Sequence, residues 1–173
     1  DDFRVKPDAM QTVGFHESCM WTGYETGVEA SAQRYFDPYV NTNGRSKTHK
    51  GEFGPDVLNA FVQDFIRKQK DTKSPFFIYY PMLLPHGPST KTPRNKDKTD
   101  LSKAETFREM VEYSDFLIGK IIKTLADTGQ TKDTIVVFMT DNGTTGAYSA
   151  NLNGHTVRGG KNQLTEAGVN SPL

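Results

Sequence analysis

Cysteine is almost absent: Cys19 is the only one in 173 residues, which excludes an internal disulfide framework and any zinc site built on several thiolates. Net charge is missing too. Lys plus Arg and Asp plus Glu both number 21, so no overall field gathers nucleic acid or an anionic membrane, and any affinity for an anion must be local. No apolar run approaches the ~20 residues of a membrane span, no signal-peptide pattern opens the chain, and there is no internal repeat. The first residue is Asp1 rather than methionine, and Leu173 follows Ser171-Pro172, where an apolar run begins. The chain is therefore expected to be a piece of a longer protein. What it does hold, 35% hydrophobic and 24% charged residues, suits a globular domain with a real core rather than a disordered segment.

Organisation sharpens along the chain. Residues 1–54 are polar, aromatic and rich in turn formers, with Asp37-Pro38 and Asn43-Gly44 as clear punctuation, and read as irregular chain with short strands. The patch Tyr35-Phe36-Asp37-Pro38-Tyr39 is expected to pack. Beyond it, Val57, Leu58, Phe61, Val62, Phe65 and Ile66 repeat at helical spacing, with Asp56 at the start and Arg67-Lys68 at the end to suit the helix dipole. The run Phe76-Phe77-Ile78-Tyr79-Tyr80 reads as a strand covered on both faces. Pro85, Pro88 and Pro93 forbid regular structure across a loop at 85–101. A second helix is predicted over roughly 102–127, with Phe107, Val111, Ser114, Ile118, Ile121, Ile122 and Leu125 on one stripe. Thr128-Gly129 ends it, and a second buried strand is expected at 134–139. Helix, strand, helix, strand with short connections predicts an α/β fold whose mostly parallel or mixed sheet is flanked by helices. The whole of 1–173 is taken as one partial domain, irregular over 1–54 and regular over 55–173.

Chemistry-bearing residues sit where those strands end. The run Val136-Val137-Phe138-Met139-Thr140-Asp141-Asn142-Gly143 stops at a carboxylate and a carboxamide, and ligand sites in α/β sheets lie at the C-terminal ends of strands. Such a pair of oxygens favours a hard cation, Ca²⁺ or Mg²⁺, over zinc, and supplies two of the roughly six to eight ligands Ca²⁺ takes. The competing reading is a hairpin turn on Asn-Gly, but no alternating apolar strand follows. Pro85-His86-Gly87-Pro88 lies past the first strand, so His86 is either an idle turn residue or a group able to bond an anion or hand over a proton near neutral pH. Arg158-Gly159-Gly160-Lys161 is either a solvated basic loop or a glycine-hinged segment bringing a compact cation to a tetrahedral oxyanion. Cys19 reads as a packed thiol, and His16, His49 and His155 as surface residues. Glu166 is assigned a structural part.

Taken together, Pro75-Phe76-Phe77-Ile78-Tyr79-Tyr80 with Pro85-His86, Thr140-Asp141-Asn142-Gly143, and Arg158-Gly159-Gly160-Lys161 with Glu166-Ala167-Gly168 resemble the central part of a sulfatase. Arylsulfatase, within the alkaline-phosphatase-like superfamily, is the nearest subgroup. The resemblance implies an incomplete sulfatase-like domain in which Asp141 and Asn142 ligate Ca²⁺. His86 and Lys161 would be catalytic and contact the sulfate, with Arg158 a further substrate contact. It implies hydrolysis of a small-molecule or carbohydrate sulfate ester by a formylglycine hydrate, made from cysteine in a Cys-x-Pro/Ala-x-Arg motif, and a secreted or periplasmic enzyme. Cys19 is followed by Met20, Trp21, Thr22 and Gly23, so the modified nucleophile is expected in the parent enzyme and not in this chain. Alone, the chain is expected to be inactive. The same residues suit a phosphodiesterase or phosphonate monoester hydrolase of that superfamily, or a structural fragment without catalysis.

Overall fold

The computed structural model describes residues 9–72 and 74–170. The chain falls into two compact units that divide between Lys132 and Asp133. The first begins with a short helix α1 (Ala9–Thr12) and a three-stranded antiparallel sheet of β1 (Cys19–Trp21), β2 (Tyr39–Thr42) and β3 (Arg45–Thr48), in that order. Asn43 and Gly44 both take positive φ and close the β2–β3 hairpin with Thr42 opposite Arg45, the turn that an Asn-Gly pair favours because its twist matches that of the strands.

Two long helices follow where the hydrophobic spacing places them. Helix α2 (Gly54–Gln69) carries Pro55 in its first turn, Asp56 near its start and Arg67 and Lys68 at its end. Helix α3 (Lys103–Asp127) starts at a capping box: the Ser102 hydroxyl accepts from the Glu105 amide while the Glu105 carboxylate accepts from the Ser102 amide. It ends at Thr128, after which Gly129 turns with φ 75°. The helices pack against each other, with Val62 and Ile66 of α2 and Leu125 of α3 in one buried cluster. A polar seam runs through that contact. Fully buried Asn59 donates to the Leu117 carbonyl at 3.1 Å and accepts from Gln63 at 2.8 Å, and Gln63 in turn accepts from Thr124. Satisfied in this way, the amide costs little to bury and fixes the sliding register of the two helices.

The two segments expected as strands differ from expectation. Neither 76–80 nor 134–139 joins a ladder, and every ladder among the described residues is antiparallel. In the first segment Phe76, Ile78 and Tyr80 pack onto Val62, Ile66 and Leu125, whereas Phe77 and Tyr79 are 76% and 69% exposed. That is the period-two alternation of a strand with one face covered. Ile135 through Met139 are exposed throughout. A strand exists only where a neighbouring strand takes its N–H and C=O groups in a ladder, and neither segment belongs to one among the described residues. Both-face coverage is therefore corrected, while the helices and sheets remain those of an incomplete α/β domain.

The second unit holds the hairpin β4 (Ser149–Leu152) and β5 (His155–Arg158), closed by Asn153-Gly154 at positive φ, and a four-residue helix α4 (Glu166–Val169). His155, read as a surface residue, and Arg158, read as part of a solvated loop or a glycine-hinged segment, lie exposed on β5.

Candidate active site

The first unit presents His86. Tyr35 and Phe53 stack at 5.9 Å, Phe53 meets Tyr113 edge-on at 5.6 Å, and with Leu84, Met110 and Leu117 they form a core under the loop that carries the histidine. Tyr35 sits in that core, yet its hydroxyl reaches the loop backbone and donates to the carbonyls of Leu83, at 3.2 Å, and His86. Burial pushes this phenol up to about 12, so it stays a donor across the working pH range. The neighbouring Arg34 donates to the Gly87 carbonyl. The His86 ring lies at the surface, and its Nδ1 is 2.8 Å from the Gly87 carbonyl oxygen. A carbonyl only accepts, so that contact selects the Nδ1–H form and leaves Nε2 to exchange a proton. The Arg34 guanidinium, 3.4 Å from Nδ1, then opposes one donor to another and gives no hydrogen bond. Thus two consecutive residues, Arg34 and Tyr35, hold the peptide next to His86; the aromatic patch was read as packing and gave no sign of this.

The second unit gathers the remaining candidates. The Gly143 amide donates to the Gly168 carbonyl at 2.9 Å, Gly160 to Ala167 at 3.2 Å, and Lys161 to Thr144 at 3.0 Å. The segments Asp141-Asn142-Gly143, Gly159-Gly160-Lys161 and Ala167-Gly168, far apart in sequence, are therefore hydrogen-bonded neighbours. Glycine is required by their closeness: a Cβ on Gly143 would overlap the Ala167 carbonyl, and one on Gly168 the Gln163 and Gly160 carbonyls. Gly143 is absent from the positive-φ residues, so the hairpin reading of Asn142-Gly143 fails and close approach is what selects this glycine. Asp141 is exposed, Asn142 and Lys161 half-buried. Arg158 Nε donates to the Gly146 carbonyl at 2.7 Å, which fixes the guanidinium and leaves its terminal nitrogens as the groups available to an anion. Glu166 starts α4.

Carboxylate and amide oxygens on Asp141 and Asn142 match a hard cation in kind. They do not match it in number, and the described residues contain no cluster of three or more His, Cys, Asp or Glu able to hold a metal by themselves. The Cys19 thiol is half-buried, accepts from Thr42 at 3.5 Å, and burial raises its pKa; a thiol held protonated is a poor nucleophile. His49 departs from the surface expectation, with a side chain 12% exposed beside Glu52 at 3.0 Å.

The family model described as Sulfatase matches residues 4–173. An N-acetylgalactosamine-6-O-sulfatase of Bacteroides thetaiotaomicron is 33% identical over 142 residues, which is 76% of this chain and 27% of that protein. An N-acetylgalactosamine-6-sulfatase of Rattus norvegicus is 35% identical over 80 residues, 46% of this chain and 15% of that one. Among solved structures, Ps i-CgsB in complex with k-i-k-neocarrahexaose matches with TM-score 0.54 and 27% identity, over 61% of this chain and 24% of that chain. The chain thus spans about a quarter or less of the length of these relatives.

Proposed function

The chain belongs to the sulfatase family, and from that membership we propose that it forms part of a sulfuric ester hydrolase acting on a sulfated carbohydrate. In this reading Asp141 and Asn142 hold a divalent cation, Ca²⁺ in preference to Mg²⁺, and His86, Lys161 and Arg158 act on the sulfate group. The hydrogen bonds that draw Gly143, Lys161 and Gly168 together support it most directly, because they set a carboxylate-and-amide pair and a compact cation on one backbone framework. Two relatives named for N-acetylgalactosamine 6-sulfate and a neighbour bound to a neocarrahexaose support a sulfated sugar as the substrate class.

Each residue has a definite task. His86, oriented through Nδ1, presents Nε2 and in its imidazolium form protonates the departing alcohol oxygen. Lys161 places a positive charge against a sulfate oxygen, and the terminal nitrogens of Arg158 offer hydrogen bonds to another. Once bound, the cation supplies fixed positive charge that stabilises negative charge building on the ester oxygens. The formylglycine nucleophile is assigned to the parent enzyme outside this chain, as Cys19 lacks the modification motif.

The deciding experiment uses the full-length enzyme. Asp141→Ala is expected to abolish Ca²⁺-dependent release of sulfate from 6-sulfated N-acetylgalactosamine, and undiminished turnover would remove Asp141 from the site. Parallel kinetics on a phosphonate monoester provide the counter-test: a clear preference for that substrate overturns the sulfatase assignment.

A further inference from the structure

Beside His86 lies a cavity of about 380 Å³ lined by Trp21, Gln33, Arg34, Tyr35, Phe36 and Ser89, with Ala32, Pro88 and Thr90 completing the wall. We propose that this cavity is a saccharide subsite, taking a sugar ring of the substrate next to the scissile sulfate and pairing Arg34 with a second anionic substituent on it. The proposal rests on the sulfatase reading and deepens it.

Location comes first. Ser89 and Thr90 follow His86-Gly87-Pro88 directly, and Arg34 both lines the cavity and donates to the Gly87 carbonyl. Whatever fills the space therefore sits against the loop that carries His86. Size comes second, since the volume is at the small end for ligand pockets and suits a ring or two rather than an isolated oxyanion. The lining decides the chemistry. The aromatic side chains of Trp21 and Phe36 suit the C–H faces of a pyranose, while Gln33, Ser89 and Thr90 bring the amide and hydroxyl groups that hydroxyl-rich ligands require.

Charge selects the kind of sugar. The Arg34 guanidinium lies 4.9 Å from the Trp21 ring centre and 5.5 Å from that of Tyr35. Among the described residues it donates to the Gly87 carbonyl and pairs with no carboxylate. An arginine held beside aromatic rings keeps a planar fork of donors matched to a carboxylate or sulfate. A neutral sugar would leave that charge without an opposite partner; a polysulfated or uronic-acid-bearing one supplies it.

The test uses the full-length enzyme with 4-nitrophenyl sulfate, which has no sugar, a monosulfated disaccharide, and the same disaccharide bearing a second sulfate. In Trp21→Leu the ratio of kcat/KM for the disulfated disaccharide to that for the aryl sulfate is expected to fall tenfold or more, mostly through KM. In Arg34→Lys the preference for two sulfates over one is expected to shrink at least fivefold. Ser89→Trp, at the exposed rim, fills the cavity without entering the core and has to reproduce the tenfold fall; an unchanged ratio there overturns the subsite. If the wild-type enzyme releases sulfate from none of the probes, it is the sulfatase reading that fails. Calorimetric titration with the disulfated disaccharide then judges the subsite: binding at least fivefold weaker in Ser89→Trp upholds it, and equal or absent binding in both proteins overturns it.

Discussion

At Tyr35 a single hydroxyl serves two carbonyls, those of Leu83 and His86. A Tyr35→Phe change keeps the ring in the core and removes only those bonds. It is expected to cost about 1 kcal/mol of stability, the usual net worth of such bonds, and to lower kcat of the full-length enzyme roughly tenfold, because small displacements of a proton donor are expensive in rate. Thermal melting and steady-state kinetics separate the two effects. Gly168 offers the complementary case: a methyl group there meets the Gln163 and Gly160 carbonyls. Gly168→Ala is expected to destabilise by about 1–3 kcal/mol and to weaken Ca²⁺ binding measured by calorimetry, as the framework under Asp141 shifts. Neither site was legible as more than a motif fragment, since the partners of Tyr35 and Gly168 are carbonyls and any residue supplies a carbonyl.

Helices were the most legible elements. Ser102 three residues before Glu105, ahead of an apolar stripe, is a start signal whose two hydrogen bonds the structure contains. Ser102→Ala is expected to cost about 1 kcal/mol. Glu105 gives this cap a pH signature. Its pKa is lowered, first by the Ser102 side chain and then by the Ser102 backbone. A depressed carboxylate contributes stability that is present above its unfolded pKa and lost as pH falls through the folded value. The gap in melting temperature between wild type and Glu105→Gln should therefore be open at pH 7 and close in the carboxylate range, at about pH 4 and below. The 149–158 hairpin was missed although Asn153-Gly154 announces it, because its strands, with every residue exposed, show no apolar face from which to read a period of two.

Considered as a whole, the chain leaves a good deal of apolar surface in water: Phe77, Tyr79 and Ile135 through Met139 are all exposed. Solitary exposed apolar residues are ordinary, but consecutive ones mark surface that normally has a partner. The isolated 173-residue chain is expected to bind an apolar-surface dye such as ANS strongly. Replacing Phe77 and Tyr79 with Ser and Thr should reduce that fluorescence severalfold with little change in helix content by circular dichroism; equal fluorescence would mean these faces are covered in solution.

What the sequence determined by itself was local or ordered along the chain: two amphipathic helices with their ends, a histidine, a carboxylate–amide pair and a glycine-hinged lysine in a family-specific order. Spacing and capping encode such features over a few residues, so no distant contact is needed to read them. Tertiary structure alone decided which strand-like runs obtain neighbours, that Gly143 and Gly168 are demanded by backbone contact, and that Arg34 and Tyr35 reach the His86 loop. Those outcomes depend on carbonyls and amides meeting across long separations, and backbone groups are the same at every position until the chain has folded.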